Sequence, residues 1–292
     1  MIRIALFGNI KNAFTLEIVK NLLGKKLADC SFLIYKPIYD SIFPDINNPN
    51  QDTFTSANDL LNRADYLFSI GGDGTLLKTI NLVRDSGIPV LGINTGRLGF
   101  LSNITNDEID HALAVIQKKD YKLDQRILLE VESEQLEKGL YHFALNDFTL
   151  QKHESSSMIA VHVSINDKFL NTYWADGLLV STATGSTAYS LSCGGPILLP
   201  ESEMFVVSPI APHNLNVRPI VVPADCVLKL TVESRDRNFV ATLDSNAVLM
   251  SAATNFTLKK AKHKLNLLRF DNHDFLNTLR NKLMWGLDKR NY

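Results

Sequence analysis

Residues 66–80 read YLFSIGGDGTLLKTI and contain the signals of a strand, a turn and a helix in immediate succession. The apolar run from Tyr66 to Ile70 has the length of a buried strand and ends at two glycines. The following segment has helical spacing of apolar residues, and we predict a helix over 75–86. A strand, a glycine turn and a helix in this order are typical of a parallel α/β sheet.

The same alternation continues on both sides of this segment. We predict further strands over 2–7, 32–35 and 88–93, and further helices over 16–27 and 109–116. The prolines at positions 37, 44 and 49 predict an irregular loop. The first part of the chain is therefore predicted to be a Rossmann-like parallel α/β domain with helices on both faces.

After about residue 124 the pattern changes to short strands without intervening helices. Residues 158–165 alternate with a period of two, and Asn166-Asp167 supplies a turn. Strands are also predicted over 169–174, 228–233, 238–243, 255–259 and 265–270. We predict a β-sandwich-like domain over 125–270, and a final helix that packs back on the first domain, which comprises 1–124 and 271–292.

Composition limits the classes of function. The 292 residues carry a formal net charge of −1, which gives no electrostatic sign of binding to nucleic acid or to an anionic membrane. Three scattered cysteines (Cys30, Cys193 and Cys226) have neither disulfide nor zinc spacing. The first residues do not resemble a signal peptide, and no apolar run reaches membrane-spanning length. We therefore expect a cytoplasmic protein.

The turn at 71–75 has the chemistry of a phosphate site. Gly71, Gly72 and Gly74 allow a ligand to approach the backbone, and a helix starting near Thr75 would direct N–H groups at phosphate. A carboxylate at Asp73 beside phosphates points to phosphoryl transfer, through magnesium or through acceptance of a proton. The alternative is a structural turn in which Asp73 is the N-cap.

The motif GGDGT at 71–75 resembles the superfamily of diacylglycerol kinases, sphingosine kinases, 6-phosphofructokinases and NAD kinases. ADGLLVSTATGSTAYSLS at 175–192, followed by GGP at 194–196, resembles the long signature of NAD kinases. NTGRLGFL at 94–101, LND at 145–147 and PIAPH at 209–213 extend the similarity over nearly the whole chain. The resemblance therefore implies an enzyme that makes NADP from NAD and ATP.

The family implies roles for individual residues. Asp73 would be the base that activates the 2′-hydroxyl of the adenosine ribose, with Asp73 and Gly74 contacting NAD. Asn146 and Asp147 would hold the dinucleotide, and Asp176 would contact its nicotinamide end. The remaining residues expected in the NAD pocket are Thr184, Thr187, Ala188, Tyr189, Ser190, Leu191, Ser192 and Asn246.

The phosphates of ATP are expected to contact Gly71, Gly72, Gly74, Thr75, Lys78 and Arg97. Lys78 could equally be a solvated helix lysine, and Arg97 could instead pair with a surface acid. The expected cofactor is Mg²⁺ arriving with ATP, with no dedicated protein metal site.

The sequence departs from the family pattern at three places, of which the missing proline at Thr182-Ala183 is expected to be harmless. Asp147 stands where glutamate is more common. At Asp244-Ser245-Asn246 a serine replaces the usual glycine, so we expect a different local backbone because Ser245 lacks the freedom of glycine at positive φ.

We predict that ATP and NAD meet between the two domains. A lipid or sugar kinase sharing GGDGT is one alternative, and a non-catalytic dinucleotide sensor is another. The family also implies a homodimer or a homotetramer.

Overall fold

The computed structural model describes residues 1–25, 29–44, 52–96, 99–102, 104–136, 142–153, 158–235, 238–270 and 274–285. Contacts divide the chain into two compact units. The first unit comprises 1–125 and 265–292, and the second comprises 126–264. Among the described residues, no helix combines the length and the apolar character needed to cross a membrane.

The strands are β1 Ile2–Gly8, β2 Cys30–Tyr35, β3 Thr53–Phe54, β4 Tyr66–Ile70, β5 Val90–Ile93, β6 Lys122–Glu132, β7 Phe143–Ala144, β8 Asp147–Lys152, β9 Ile159–Ile165, β10 Lys168–Thr182, β11 Met204–Pro212, β12 Ile220–Pro223, β13 Leu228–Ser234, β14 Asn238–Leu243, β15 Asn246–Ser251 and β16 Asn255–Arg269. The α-helices are α1 Ala13–Gly24, α2 Lys36–Ile42, α3 Ala57–Leu60, α4 Asp73–Val83, α5 Ile109–Lys118, α6 Tyr189–Ser192 and α7 Phe275–Leu283. Short 3₁₀ turns cover Asn106–Glu108 and Thr184–Thr187.

The first unit is built on a parallel sheet, as predicted. Strand β1 pairs in parallel with β2 and β4, β2 pairs with β3, and β4 pairs with β5. The order is therefore β5-β4-β1-β2-β3. Leu267, near the end of β16, adds a parallel pairing beside Val90 of β5.

Helices cover both faces of this sheet. One face packs alternate strand residues such as Ile4, Leu6 and Ile93 against helices α1, α2 and α5. Gly92 points to the opposite face, because neighbours in a strand alternate. There it lies under α4, since a Cβ atom at Gly92 would be 2.9 Å from Leu76 Cδ1.

Two details of the first unit bear on the predictions. The loop predicted around Pro37 is wrong at that residue, because α2 carries Pro37 in its first turn, where a missing N–H costs nothing. Pro49 lies outside the described residues. The final helix α7 packs within the first unit, as predicted: Leu279 is buried, and the Phe275 and Phe100 rings are 6.3 Å apart.

The second unit is antiparallel and organised around the long strand β10. The first half of β10 pairs with β9, and its second half lies between β8 and β11. Strands β14 and β15 continue beyond β8, and β13 and the first part of β16 continue beyond β9. The two strands predicted over 255–259 and 265–270 are one continuous strand, β16. One apolar cluster, which includes Phe148, Phe205 and Phe239, fills the unit.

Candidate active site

Asp73 is the first residue of helix α4, two residues earlier than the predicted helix start. The N-cap is Gly72, so the alternative assignment of Asp73 as the N-cap is wrong. No side chain caps this helix, which leaves its first N–H groups without the partner that a capping residue supplies. An uncapped helix start of this kind favours the binding of a phosphate group.

The carboxylate of Asp73 is held by the backbone of the loop that follows strand β5. Its Oδ2 accepts from the N–H of Phe100 at 2.8 Å, and its Oδ1 accepts from the N–H groups of Leu101 at 3.1 Å and Ser102 at 2.9 Å. Gly99 makes this approach possible, because a Cβ atom there would lie 1.9 Å from Oδ1. The carboxylate is therefore fixed at the carboxyl edge of the parallel sheet.

The residues predicted to bind phosphate surround the start of α4. A Cβ atom at Gly72 or Gly74 would meet no atom within 4 Å, so both glycines border open space. Thr75 and Lys78 line a 240 Å³ cavity together with residues at and just after the carboxyl ends of strands β1 and β2. Gly71 directly follows strand β4. Arg97 lies outside the described residues.

In the second unit, the predicted pair Asn146 and Asp147 lies at the start of β8, where Asp244 binds the backbone. Oδ2 of Asp244 accepts from the N–H of Leu145 at 2.9 Å. Its Oδ1 accepts from the N–H groups of Asn146 at 2.8 Å and Asp147 at 3.1 Å. Asp244 thus fixes the segment that carries both predicted ligands.

The turn that carries Asp244 differs from the sequence expectation. Asp244 and Ser245 form the two-residue connection between β14 and β15, and the residue with positive φ is Asp244, at 48°. The expectation that Ser245 would need a positive φ is therefore wrong, because the positive φ falls on the preceding residue, Asp244. Aspartate tolerates the left-handed region, so the turn does not need a glycine at 245.

Asp147 is buried, and the half-buried Asp244 lies close enough for their charges to interact. Burial raises the pKa of Asp147 to about 7, the charge of Asp244 adds to the rise, and the hydroxyl of Thr149, which donates to Asp147 at 3.1 Å, opposes it. Burial also raises the pKa of Asp244 to about 6, against the three N–H donors. The two carboxyl groups therefore take up protons close to neutral pH.

Residues 184–192 form a 3₁₀ turn and a short helix after strand β10. Arg126, which is only 3% exposed, donates to Thr184 Oγ1 at 3.0 Å. Gly185 packs directly on Asn146, since a Cβ atom at Gly185 would lie 2.1 Å from the Asn146 carbonyl oxygen. The structure therefore brings the 184–187 turn against the predicted dinucleotide-binding pair.

The other side chains of this segment differ in exposure. Tyr189 is 40% exposed, and its hydroxyl accepts from Gln151 Nε2 at 3.1 Å. Ser190 is fully buried, whereas Ser192 is exposed. Thr187, Ala188 and Leu191 are half-buried. Tyr189 and Ser192 are thus the residues of the segment whose side chains are most open to a ligand.

Asp176 and Asn246 are also accessible. Asp176 lies in β10 and forms an ion pair with Lys152 at 2.7 Å. Asn246 is the first residue of β15 and is exposed. Both belong to the same unit as Asn146 and Asp147.

Three residues of the site were not predicted from the sequence as site residues: Gly99, Arg126 and Asp244. Arg126 carried a usable signal, because it is a charged residue directly before the apolar residues 127–129. Gly99 and Asp244 stood inside quoted motifs, but nothing local indicated which atoms they approach.

Comparisons with known proteins place the chain in one family. Residues 36–121 match the model of the ATP-NAD kinase N-terminal domain, and residues 145–270 match that of the ATP-NAD kinase C-terminal domain. NAD kinases of Cytophaga hutchinsonii and Flavobacterium psychrophilum are 48% and 46% identical, over 82% of both chains in each case.

Solved structures show the same fold. A crystal structure of yeast NADH kinase complexed with NADH has a TM-score of 0.88 at 23% identity, covering 99% of this chain and 89% of that one. An NAD kinase from Archaeoglobus fulgidus in complex with ATP has a TM-score of 0.72 at 22% identity, covering 97% and 99%.

The two family models and the relatives define the class of the chain as a kinase, an enzyme that transfers a phosphoryl group. With both family models matched and relatives above 45% identity, the chain belongs to the ATP-NAD kinase family. This membership decides against the lipid or sugar kinase and against the non-catalytic sensor.

Proposed function

We propose that the chain transfers the γ-phosphoryl group of ATP to the 2′-hydroxyl of the adenosine ribose of NAD, giving NADP and ADP. NAD kinase activity is the activity of the family. The observation that carries the assignment of the reacting groups is the Asp73 carboxylate, which three backbone N–H groups hold beside an uncapped helix start.

Asp73 is the general base in this proposal. A carboxylate offers about four lone-pair positions, and the backbone uses two at Oδ1 and one at Oδ2. One position on Oδ2 is therefore left to accept the proton of the ribose hydroxyl as its oxygen attacks the γ-phosphorus. Because the donors are backbone groups, the base is held in place before the substrate arrives.

The start of α4 binds the transferable phosphates. Its free N–H groups and positive dipole end attract anions. Gly72 and Gly74 both border open space, so contacts within the protein would allow a side chain at either position. A phosphate approaching the backbone would use that space, with Thr75 and Lys78 beside it. Arg97 is proposed as a further phosphate ligand.

Magnesium is proposed to bind together with ATP, the phosphoryl donor. Among the residues that the structure describes, no group of three or more histidine, cysteine or acidic side chains is placed to hold a metal ion. Mg²⁺ commonly binds through substrate phosphates and water with few protein ligands, so we propose that the ion arrives with ATP. When bound, the ion neutralises phosphate charge during transfer.

NAD is proposed to bind the second unit. Asn146 and Asp147 hold the adenosine part, and Asp176 accepts from the carboxamide of the nicotinamide end. Tyr189, Ser192 and Asn246 offer exposed groups to the ligand. Within the 184–192 turn, Thr184, Thr187, Ala188, Ser190 and Leu191 complete the proposed pocket.

The proposal also includes the cellular location and the oligomeric state of the protein. The three cysteines are free, as expected in a reducing cytoplasm. The oligomer implied by the family is a homodimer or homotetramer, and the exposed Phe169 and Trp174 on β10 are proposed as contact residues between subunits. Light scattering on the purified chain tests the oligomeric state.

Asp73→Asn tests the proposed base. We expect NADP formation to fall about 10²–10⁴-fold, because an amide cannot accept the ribose proton. The measurement is a coupled assay with NAD, magnesium and ATP. Asp59→Asn is the matched control: Asp59 accepts from the backbone N–H groups of Thr55 and Ser56 at another helix start in the same unit, and turnover should be unchanged. Near-normal turnover of folded Asp73→Asn would refute the assignment.

A further inference from the structure

The backbone of Leu145, Asn146 and Asp147 is bound at every polar group. The three N–H groups donate to the Asp244 carboxylate. The Asp147 carbonyl accepts from the Asp244 N–H at 2.9 Å, and the Asn146 carbonyl accepts from the Thr182 N–H at 2.9 Å. The Leu145 carbonyl accepts from the Thr182 hydroxyl. Two residues, Asp244 and Thr182, therefore fix the conformation of this segment.

The two anchors differ in kind. Thr182 is a buried residue at the end of β10, and its Oγ1 also accepts from the Gly185 N–H at 3.2 Å, which ties the 184–187 turn to the same segment. Asp244 lies on a hairpin turn with φ of 48°. It supplies the charged acceptor, and hydrogen bonds to a charged group are about twice as strong as neutral ones.

The side chain presented by this fixed segment is that of Asn146. It is half-buried, and within the described part of the chain its amide has no hydrogen-bond partner. Its backbone cannot shift toward the neighbouring turn, because Gly185 already lies against the Asn146 carbonyl. An amide with a fixed backbone and free donors and acceptors is suited to read the polar edge of a base or a sugar.

We propose that Asp244 is a positioning residue for NAD: it holds Asn146 and Asp147 in the geometry that binds the adenosine part of the dinucleotide. This inference rests on the proposed function. Asp244 acts through the backbone of the three residues and not by touching the reacting atoms. Its loss therefore weakens NAD binding without altering the site that binds the phosphates of ATP.

Asp244→Asn separates these effects. An asparagine keeps one acceptor oxygen and turns an NH₂ group toward a backbone N–H, so the segment must move. We expect KM for NAD to rise at least tenfold and KM for ATP to stay within twofold. Asp167→Asn is the matched control, because Asp167 also has positive φ in a two-residue hairpin turn of the same unit, yet its exposed carboxylate pairs with Lys229.

Two further measurements keep the test decisive. Asp244→Glu retains the carboxylate and should recover part of the affinity for NAD, whereas Asp244→Asn should not. Calorimetric titration of NAD into wild type and both variants reports binding even if no turnover is found, so failure of the proposed function remains distinguishable. An unchanged KM for NAD in folded Asp244→Asn, or an equal rise of KM for NAD and ATP, would overturn the proposal.

Discussion

Two aspartates, one in each unit, are bound by the backbone in the same way. Asp73 accepts from the N–H groups of 100, 101 and 102, and Asp244 accepts from those of 145, 146 and 147. In both cases Oδ2 takes the first N–H of the three and Oδ1 takes the next two. The surroundings differ: Asp73 stands at an open helix start, and Asp244 stands beside the buried Asp147.

The three backbone N–H donors around each carboxylate, here called its backbone cradle, do not by themselves determine the role of the aspartate. The cradle fixes a carboxylate, and the neighbours of its remaining lone pair decide its use. Asp73 has beside it the uncapped helix start proposed to bind phosphate, which suits transfer of a proton during phosphoryl transfer. Asp244 faces a second carboxyl group and a segment of backbone, which suits holding that segment in place.

Gly99→Ala should have the largest effect, because it breaks the cradle at Asp73 alone. The new Cβ atom would lie 1.9 Å from Asp73 Oδ1, so the carboxylate or the loop must move. A misplacement of about 1 Å can cost about 100-fold in rate, and we expect kcat/KM to fall by at least that factor. The measurement is steady-state kinetics with a thermal melt to confirm folding.

Gly24→Ala is the control for Gly99→Ala. Gly24 ends helix α1, and a Cβ atom there would meet nothing within 4 Å. Its kinetics should match wild type. If Gly99→Ala also kept normal kinetics, the fixed orientation of Asp73 would be unimportant for turnover, and the contrast with Asp244 would lose its basis.

Asp147→Asn tests the raised pKa of the buried Asp147 carboxyl group through stability. The pKa of Asp147 is raised to about 7 in the folded protein, so the stability it contributes is present below its unfolded pKa of about 3.9 and is lost as pH rises through 7. The variant does not titrate. Relative to wild type, it should gain roughly 2–4 kcal/mol between pH 4 and pH 8. Urea unfolding at several pH values measures this gain.

Asp244, whose pKa is raised to about 6, titrates within this pH range in both wild type and Asp147→Asn, so the comparison is the difference between the two proteins. Tyr189 and Cys193 also face Asp147, but burial raises the pKa values of both groups above their ordinary values of 10.0 and 9.0, so neither titrates between pH 4 and pH 8. Asp244→Asn should lower the pKa of Asp147, because it removes the neighbouring negative charge. If the difference in stability between Asp147→Asn and wild type did not change with pH across this range, the raised pKa of Asp147 would be contradicted.

The first unit could be predicted well because its signals are local. Buried strands, the glycine turn and helical spacing each lie within ten residues, and the parallel sheet followed from their alternation. The misses concerned the bounds of elements: Pro37 marks the first turn of a helix and not a loop, and α4 begins two residues earlier than predicted, at Asp73. The family resemblance supplied the candidate site residues.

The role of Asp244 could not be predicted, because its partners are distant in sequence. Leu145, Asn146 and Asp147 lie 97–99 residues away, and the bonds involve backbone N–H groups that every residue type except proline carries. The contact of Gly185 with the Asn146 backbone could not be predicted for the same reason. Contacts of this kind leave no periodicity or motif in the sequence.

Gly74→Ala should have the smallest effect on the protein and still sharpen the comparison. Gly74 lies in the first turn of α4 with open space around its Cα, so alanine should stabilise the helix by up to about 1 kcal/mol. If phosphate approaches this backbone, the added methyl group obstructs it, and KM for ATP should rise about fivefold, or by about 1 kcal/mol, while KM for NAD changes less. Kinetics and a thermal melt of one sample measure both. A variant that gains stability and keeps its KM for ATP would place the phosphates elsewhere, and Asp73 would then lack the neighbour that distinguishes it from Asp244.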